Sequence, residues 1–385
     1  MSTIDALFEP VRIGRLALPN RVVMSPMTRS FSGDAGVPGL DVVRYYAARA
    51  AAGTGLIFTE GTVVDMGPAR GYLGVPGLCN DAQEAAWRQV VDAVHAAGGR
   101  IMVQLWHCGR LSHPRATGGA QPLAPSALAA AGVYVDAADP STFDGHLQYV
   151  APKAMDAADI ASVTAAFAAA AGRAKRAGFD GVLFHGASGY LLHEFFNADS
   201  NQRSDDYNGD AFARARFAAG IVAAARREVG AGFPLLMGLS QFAVNDFAWQ
   251  TWREPADLAA TLTTLRTAGI DGYHVAAYRI GVPAFAPDVD PAQRSLAWHV
   301  RALSGLPVSA VGGVTYSTGV GESLMGVDSQ LTDPAEAAQA LHSGDADLIA
   351  VGRAMLANPD WTAKVRDGRW RELTPFRREM LGELV

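Results

Sequence analysis

Four stretches of the chain carry side chains or bare glycines whose types and spacing suit small-molecule chemistry. Ser25-Pro26-Met27-Thr28-Arg29 sets a hydroxyl just past a short apolar run. Gln104-Leu105-Trp106-His107-Cys108-Gly109-Arg110 offers an amide that both donates and accepts hydrogen bonds, beside a large aromatic ring. Phe184-His185-Gly186-Ala187-Ser188-Gly189-Tyr190-Leu191 groups an imidazole, a short hydroxyl and a phenol that is protonated at neutral pH. The fourth stretch is split between Val311-Gly312-Gly313 and Val351-Gly352-Arg353. There glycines bare their backbone N–H groups and a guanidinium adds a bidentate partner, a combination suited to phosphate. Taken singly each stretch has a plain structural reading. Thr28 can cap a turn, Gln104 and Trp106 can be rim and core, Cys108 can be a small hydrophobe, and the glycines can simply allow tight strand-to-helix turns.

What lifts these stretches above that reading is where they fall among the elements. Short β-branched runs alternate with Ala-rich helical stretches, the pattern of repeated β–α units around a parallel sheet. The spacing predicts strands at 22–25, 56–59, 101–105, 181–185, 235–239, 272–276, 308–311 and 348–351. It predicts helices over 82–97 and over 158–177, the latter starting after Asp156 and stopping at Gly178. Eight units make a (β/α)8 TIM barrel the economical fold, and each chemical stretch then sits at a strand's carboxyl end, where barrels build their sites. An open doubly wound sheet is the alternative, but no Gly-rich dinucleotide fingerprint opens a helix after the first strand. Two segments break the alternation. Residues 114–152 read as a long loop insertion after strand 3 with a hairpin near 133–135 and 147–150, and 281–290 as a Pro-rich insertion after strand 6.

These stretches resemble the Old Yellow Enzyme family of FMN-dependent ene-reductases along nearly the whole chain. The opening LFEPVRIGRLALPNRVVMSPMTR, the QLWHxGR pattern at Gln104 to Arg110, H-x-A-x-G-Y-L at His185 to Leu191, N-x-R-x-D-x-Y from Asn201, and VGRxxLANPDW from Val351 carry the likeness. The resemblance implies that residues 1–385 form one FMN-binding barrel domain. It places Pro26, Met27, Thr28, Gly61 and Gln104 against the flavin, Gly312, Gly313, Gly352 and Arg353 on its phosphate, and Trp106 and Tyr72 along the substrate pocket. It makes His185 one grip on the activating oxygen of an alkene and Tyr190 the acid that protonates carbon. NADPH or NADH is the implied reductant.

The chain departs from the family pattern at Ser188, where the family keeps His or Asn as a second grip, and at Gly238, where it keeps an Arg beside the flavin's N1/O2 edge. The resemblance therefore implies weaker FMN binding or an altered potential, and a changed grip on substrate. Two other readings follow: a specialised biosynthetic relative that desaturates, isomerises or does no redox chemistry, or a non-catalytic flavin or ligand-binding barrel. Tyr207-Asn208-Gly209 in place of Tyr-Gly-Gly is a milder change, and His193 is expected to be structural.

Composition bounds the partners. A net charge of -6 with no basic run gives no field for nucleic acid or an anionic membrane. Cys79 and Cys108 lack the number and spacing of a disulfide framework or zinc site, and no His cluster has carboxylates at metal spacing, so no metal is expected. The N-terminus lacks a long apolar core and no stretch suits a membrane helix. A cytoplasmic enzyme acting on small molecules is expected, and the resemblance implies a homo-oligomer, dimer or tetramer.

Overall fold

The computed structural model describes residues 3–136, 138–142, 145–324 and 326–385. Eight strands form a closed parallel barrel: β1 Val22–Met24, β2 Leu56–Val63, β3 Ile101–Trp106, β4 Gly181–His185, β5 Leu235–Ser240, β6 Gly272–Ala276, β7 Val308–Val311 and β8 Leu348–Val351. Sequence neighbours pair in order, and β8 closes on β1 through Val351 opposite Met24. The expected strands are all present. The second runs on to Val63, past its expected end at 59, because a bulge between Phe58 and Gly61 lets its tail re-pair with 104–106 of β3.

Helices cover the outside: α1 Leu40–Ala51, α2 Asp81–Ala96, α3 Ala157–Ala177, α4 Leu191–Phe196, α5 Ala211–Val229, α6 Pro255–Ala268, α7 Leu296–Ser304, α8 Pro334–His342 and α9 Arg353–Ala357. Helix α3 shows how local sequence sets a boundary. Asp156 accepts from the Asp159 N–H while the Asp159 side chain accepts from the Asp156 N–H, and Gly178 ends the helix in the left-handed region at φ 95°. Asn80 caps α2 by accepting from Gln83 N–H.

Inside the barrel alternate residues point at the axis. Leu56, Phe58, Met102, Leu183, Leu236 and Leu348 pack with Ile13 and Leu18 of an N-terminal hairpin, Val11–Ile13 with Leu16–Leu18, which plugs the amino-terminal end. Sequence reading does not anticipate this plug, since its strands are too short to leave a period. Further along the same inward rows the residues turn polar or bare: Gln104 after Met102, His185 after Leu183, Gly238 after Leu236, and His274 after Gly272. The apolar layer closes the floor and the polar layer faces the carboxyl-end mouth.

The 114–152 insertion is anchored at its base by a parallel pairing of Leu123–Ala124 with Lys153–Ala154. The expected hairpin is reduced to one antiparallel bridge, Val133 with Gln148, beside a Tyr134 N–H to Leu147 carbonyl bond. Its ring contacts and hydrogen bonds run inward to the barrel mouth instead of along a ladder.

Candidate active site

A cavity of about 110 Å³ opens at the barrel's carboxyl end, lined by Pro26, Thr28, Gln104, Trp106, His185, Ser188, Tyr190, Gly238 and His274, with Ser25, Ala187, Ala276 and Val311. Eight of the residues singled out from sequence thus meet at one place. Ring centroids lie 4.8 Å apart for Trp106 and Tyr190, 4.9 Å for His185 and Tyr190, and 5.9 Å for Trp106 and His185. Tyr72 reaches in from the segment after β2, stacked on Trp106 at 5.6 Å, with its hydroxyl 3.3 Å from that of Tyr190.

Protonation follows from burial. His185 is pushed down to about 3, chiefly by desolvation and further by His193 and His274, so its ring is neutral at physiological pH. Burial raises the Tyr190 phenol, which therefore keeps its proton. His274 is also pushed down to about 3 by burial, and its Nδ1 lies 3.3 Å from Ser309 Oγ. The Cys108 thiol, fully buried and raised by desolvation, is a packing group.

The turn after β4 is built to present these groups. Ser188 sits in the left-handed region at φ 65°; its N–H donates to Ser240 Oγ at 2.8 Å and its carbonyl accepts from Val244 N–H at 3.0 Å. His193 braces the turn: Nδ1 accepts from Gly189 N–H at 2.7 Å and Nε2 donates to the Ser240 carbonyl at 2.9 Å. The N-x-R-x-D-x-Y stretch does similar work farther out. Arg203 bonds the Met155 and Pro125 carbonyls and pairs with Asp205, tying the base of the 114–152 insertion to the barrel.

Packing explains the bareness of one predicted position, and strand register places a second. A Cβ on Gly61 would stand 2.2 Å from the Trp106 ring, so this glycine makes room for Trp106. Gly238 lies in register with His185 on one side and His274 on the other, and a Cβ there would meet the Phe184 carbonyl at 3.3 Å. The barrel wall between two imidazoles is bare backbone.

Whether FMN suits the site can be read from unpaired groups. His185 Nδ1 and Trp106 Nε1 are buried without a partner, and the Gln104 side chain borders the cavity. At the other end of the mouth, the N–H groups of Gly313, Gly352 and Arg353 meet no acceptor among the described residues, and Met27 lies against Gly352, 3.7 Å from where a Cβ would be. Arg353 donates to the carbonyls of Thr318 at 2.6 Å and Gly319 at 3.0 Å and meets the Ser323 hydroxyl. Gly312 and Gly313 pack against Arg279. Unpaired donors at the edge of the opening, with free Gly313, Gly352 and Arg353 N–H groups at its other end, fit a flavin mononucleotide.

His274, Tyr134 and Asp136 were not singled out from sequence. Inward alternation at strand ends, which puts Gln104, His185 and His274 on equivalent positions, is the signal for His274; nothing local marks Tyr134 or Asp136.

An eight-stranded α/β barrel with a ligand mouth at its carboxyl end defines a class of enzymes, and comparison narrows it. The sequence profile of the NADH:flavin oxidoreductase / NADH oxidase family matches residues 6–372. The flavin oxidoreductase hxnT of Emericella nidulans is 34% identical over 98% of this chain and 94% of its own. A probable flavin mononucleotide-dependent alkene reductase of Leishmania infantum is 33% identical over 95% of this chain and 92% of its own. The solved Old Yellow Enzyme homologue from Zymomonas mobilis superposes with a TM-score of 0.79 at 29% identity, over 98% of this chain and 96% of that one. The chain belongs to the NADH:flavin oxidoreductase / NADH oxidase family, among the Old Yellow Enzyme relatives. It is an FMN-dependent oxidoreductase that uses a nicotinamide as reductant. No described helix is long and apolar enough to cross a membrane.

Proposed function

We propose that this chain reduces the C=C bond of an alkene conjugated to a carbonyl or related oxygen-bearing group, at the expense of NADH or NADPH. The observation that carries the reading is the meeting of His185 and Tyr190 over one cavity, a neutral imidazole and a protonated phenol 4.9 Å apart. Hydride transfer from the nicotinamide to the β-carbon is the chemistry that FMN would supply when bound.

The chain's own residues do the rest. His185 donates a hydrogen bond to the activating oxygen, where negative charge develops. Ser188 offers a second, shorter donor. Tyr190 gives its proton to the α-carbon, a task for a weak acid facing a strongly basic enolate. Trp106 and Tyr72 wall the substrate. Thr28, Pro26, Met27, Gly61 and Gln104 form the flavin-ring side, Gln104 able to meet a donor and an acceptor on one edge. Gly312, Gly313 and Gly352 would supply N–H groups to the phosphate, with the Arg353 guanidinium as the cation beside it. The same reading holds residues 1–385 to be one domain, cytoplasmic and homo-oligomeric; the unpaired Cys79 and Cys108 support a reducing compartment, and sedimentation tests the oligomer.

An absorbance spectrum of the purified protein tests it. Yellow protein that bleaches anaerobically with NADPH or NADH and regains colour with cyclohexenone is the expected result. A bleached flavin that ignores the enone favours a specialised relative doing desaturation, isomerisation or non-redox chemistry, to which the bare wall at Gly238 and the short hydroxyl of Ser188 also point. No bleaching at all favours a non-catalytic binding barrel.

A further inference from the structure

A wall residue needs only its ring, yet the hydroxyl of Tyr72 is directed at the acid itself. It lies 3.3 Å from the Tyr190 hydroxyl, and no other hydrogen bond to it exists among the described residues. The ring is held in place by stacking on Trp106 at 5.6 Å and on Tyr134 at 6.4 Å. The backbone on each side is pinned from the 114–152 insertion: Tyr134 donates its hydroxyl proton to the Gly71 carbonyl at 2.9 Å, and Asp136 accepts from Leu73 N–H at 2.7 Å. An Asp136 carboxylate oxygen lies 3.1 Å from the same Tyr134 hydroxyl and shares its one proton with the Gly71 carbonyl, so the buttress is a connected unit.

We propose that Tyr72 is a positioning residue acting through Tyr190: its hydroxyl donates to the Tyr190 oxygen and stabilises the phenolate left when Tyr190 gives up its proton. The inference rests on the reduction proposed above. In that step hydride from the reduced flavin, replenished by NAD(P)H, forms the β-carbon C–H bond, and the alkene electron pair moves to the α-carbon and its activating oxygen. The Tyr190 O–H then breaks as the α-carbon C–H forms, and a proton from solvent restores Tyr190. A phenolate buried beside apolar rings is costly unless a donor meets it, and a hydrogen bond to a charged oxygen is stronger than one between neutral groups. The acidities agree with this polarity: against a background of burial that raises both phenols, the contact lowers Tyr190 and raises Tyr72, as acceptor and donor should.

The test is a double-mutant cycle in the FMN-loaded enzyme with Tyr72→Phe, Tyr190→Phe and the pair, followed by anaerobic stopped flow. Tyr72→Phe keeps the stacked ring. The expected result is slowing of cyclohexenone-driven reoxidation by about 10- to 100-fold, in its limiting rate and not in KM, and a double variant no slower than Tyr190→Phe alone. Losses that simply multiply, or a change confined to KM, overturn the proposal and leave Tyr72 as wall. Wild-type enzyme that bleaches but ignores the enone speaks against the alkene reading instead. Carbon-13 NMR of ring-labelled tyrosine then decides the hydrogen bond: the Tyr190 resonance, identified by its loss in Tyr190→Phe, shifts in Tyr72→Phe if the proposal holds and stays put if it does not.

Discussion

At Ser188 the backbone and the side chain disagree. A φ of 65° is easy for Gly or Asn and costs other L-residues roughly 1 kcal/mol or more, and the turn is kept there by the Ser240 and Val244 hydrogen bonds. Ser188→Asn is therefore expected to raise stability by about 1 kcal/mol, read from denaturant unfolding, and to lend a longer donor beside His185. Reoxidation by cyclohexenone should quicken by about tenfold; an unchanged rate would mean that His185 alone holds the activating oxygen. Tyr190→Phe keeps the ring packed on Trp106 and removes only the acid. It should slow alkene-dependent reoxidation by about 10² to 10⁴ while leaving reduction by NADPH untouched, which separate half-reaction measurements resolve. Departures of this kind are visible in sequence, but their consequence is not: only the turn geometry shows that position 188 is one where Asn would be comfortable.

The element that decides the pocket's shape is the pairing of β2 with β3. The bulge between Phe58 and Gly61 carries β2 past its expected end, and Gly61 then passes under Trp106 with no room for a methyl group. Gly61→Ala should push Trp106 off its seat, at a cost of about 1–3 kcal/mol, with a raised KM for the enone and altered tryptophan fluorescence. Normal KM and fluorescence in that variant would show that Trp106 has another place to go. The 114–152 insertion is the other deciding element. Its composition suggests only a long loop near the site, whereas Tyr134 and Asp136 make it the buttress of Tyr72.

Across the whole molecule, buried ionisable groups set the acid and alkaline limits of stability. His107, His185, His193 and His274 are each pushed down to about 3, against an ordinary imidazole near 6.5. Unfolding lets them take up protons, so their contribution is complete above about 6.5 and is lost as pH falls toward 3. Glu60 and Glu194 run the other way. Burial lifts them to about 7 and about 8, so the folded state keeps protons that the unfolded chain releases above its ordinary value of about 4.5. Their contribution is complete below that value and is lost as pH rises to 7 or 8. Between about 4.5 and 6.5 four imidazoles outweigh two carboxyls; above 6.5 only the carboxyls titrate. The thermal midpoint should therefore peak between about pH 6 and 7 and decline on both sides, and a midpoint that climbs steadily from pH 6 to 8 would contradict the burial of Glu60 and Glu194.

The sequence by itself determined the barrel, the order of its strands and most of the residues around the cavity, His274 excepted. Each β–α unit is a local pattern, a short β-branched run followed by a capped amphipathic helix, and a barrel puts the residues after every strand at one mouth, so Thr28, Gln104, His185, Tyr190 and Gly352 converge from positions far apart in the chain. Tertiary structure alone decided what each does for its neighbours. That Gly61 yields to Trp106, that His274 shares the wall with His185 across a bare Gly238, and that Tyr72 meets Tyr190 hydroxyl to hydroxyl depend on barrel register, the bulge in β2 and the path of one long insertion. These are long-range contacts between segments whose own residues carry no periodic signal of one another.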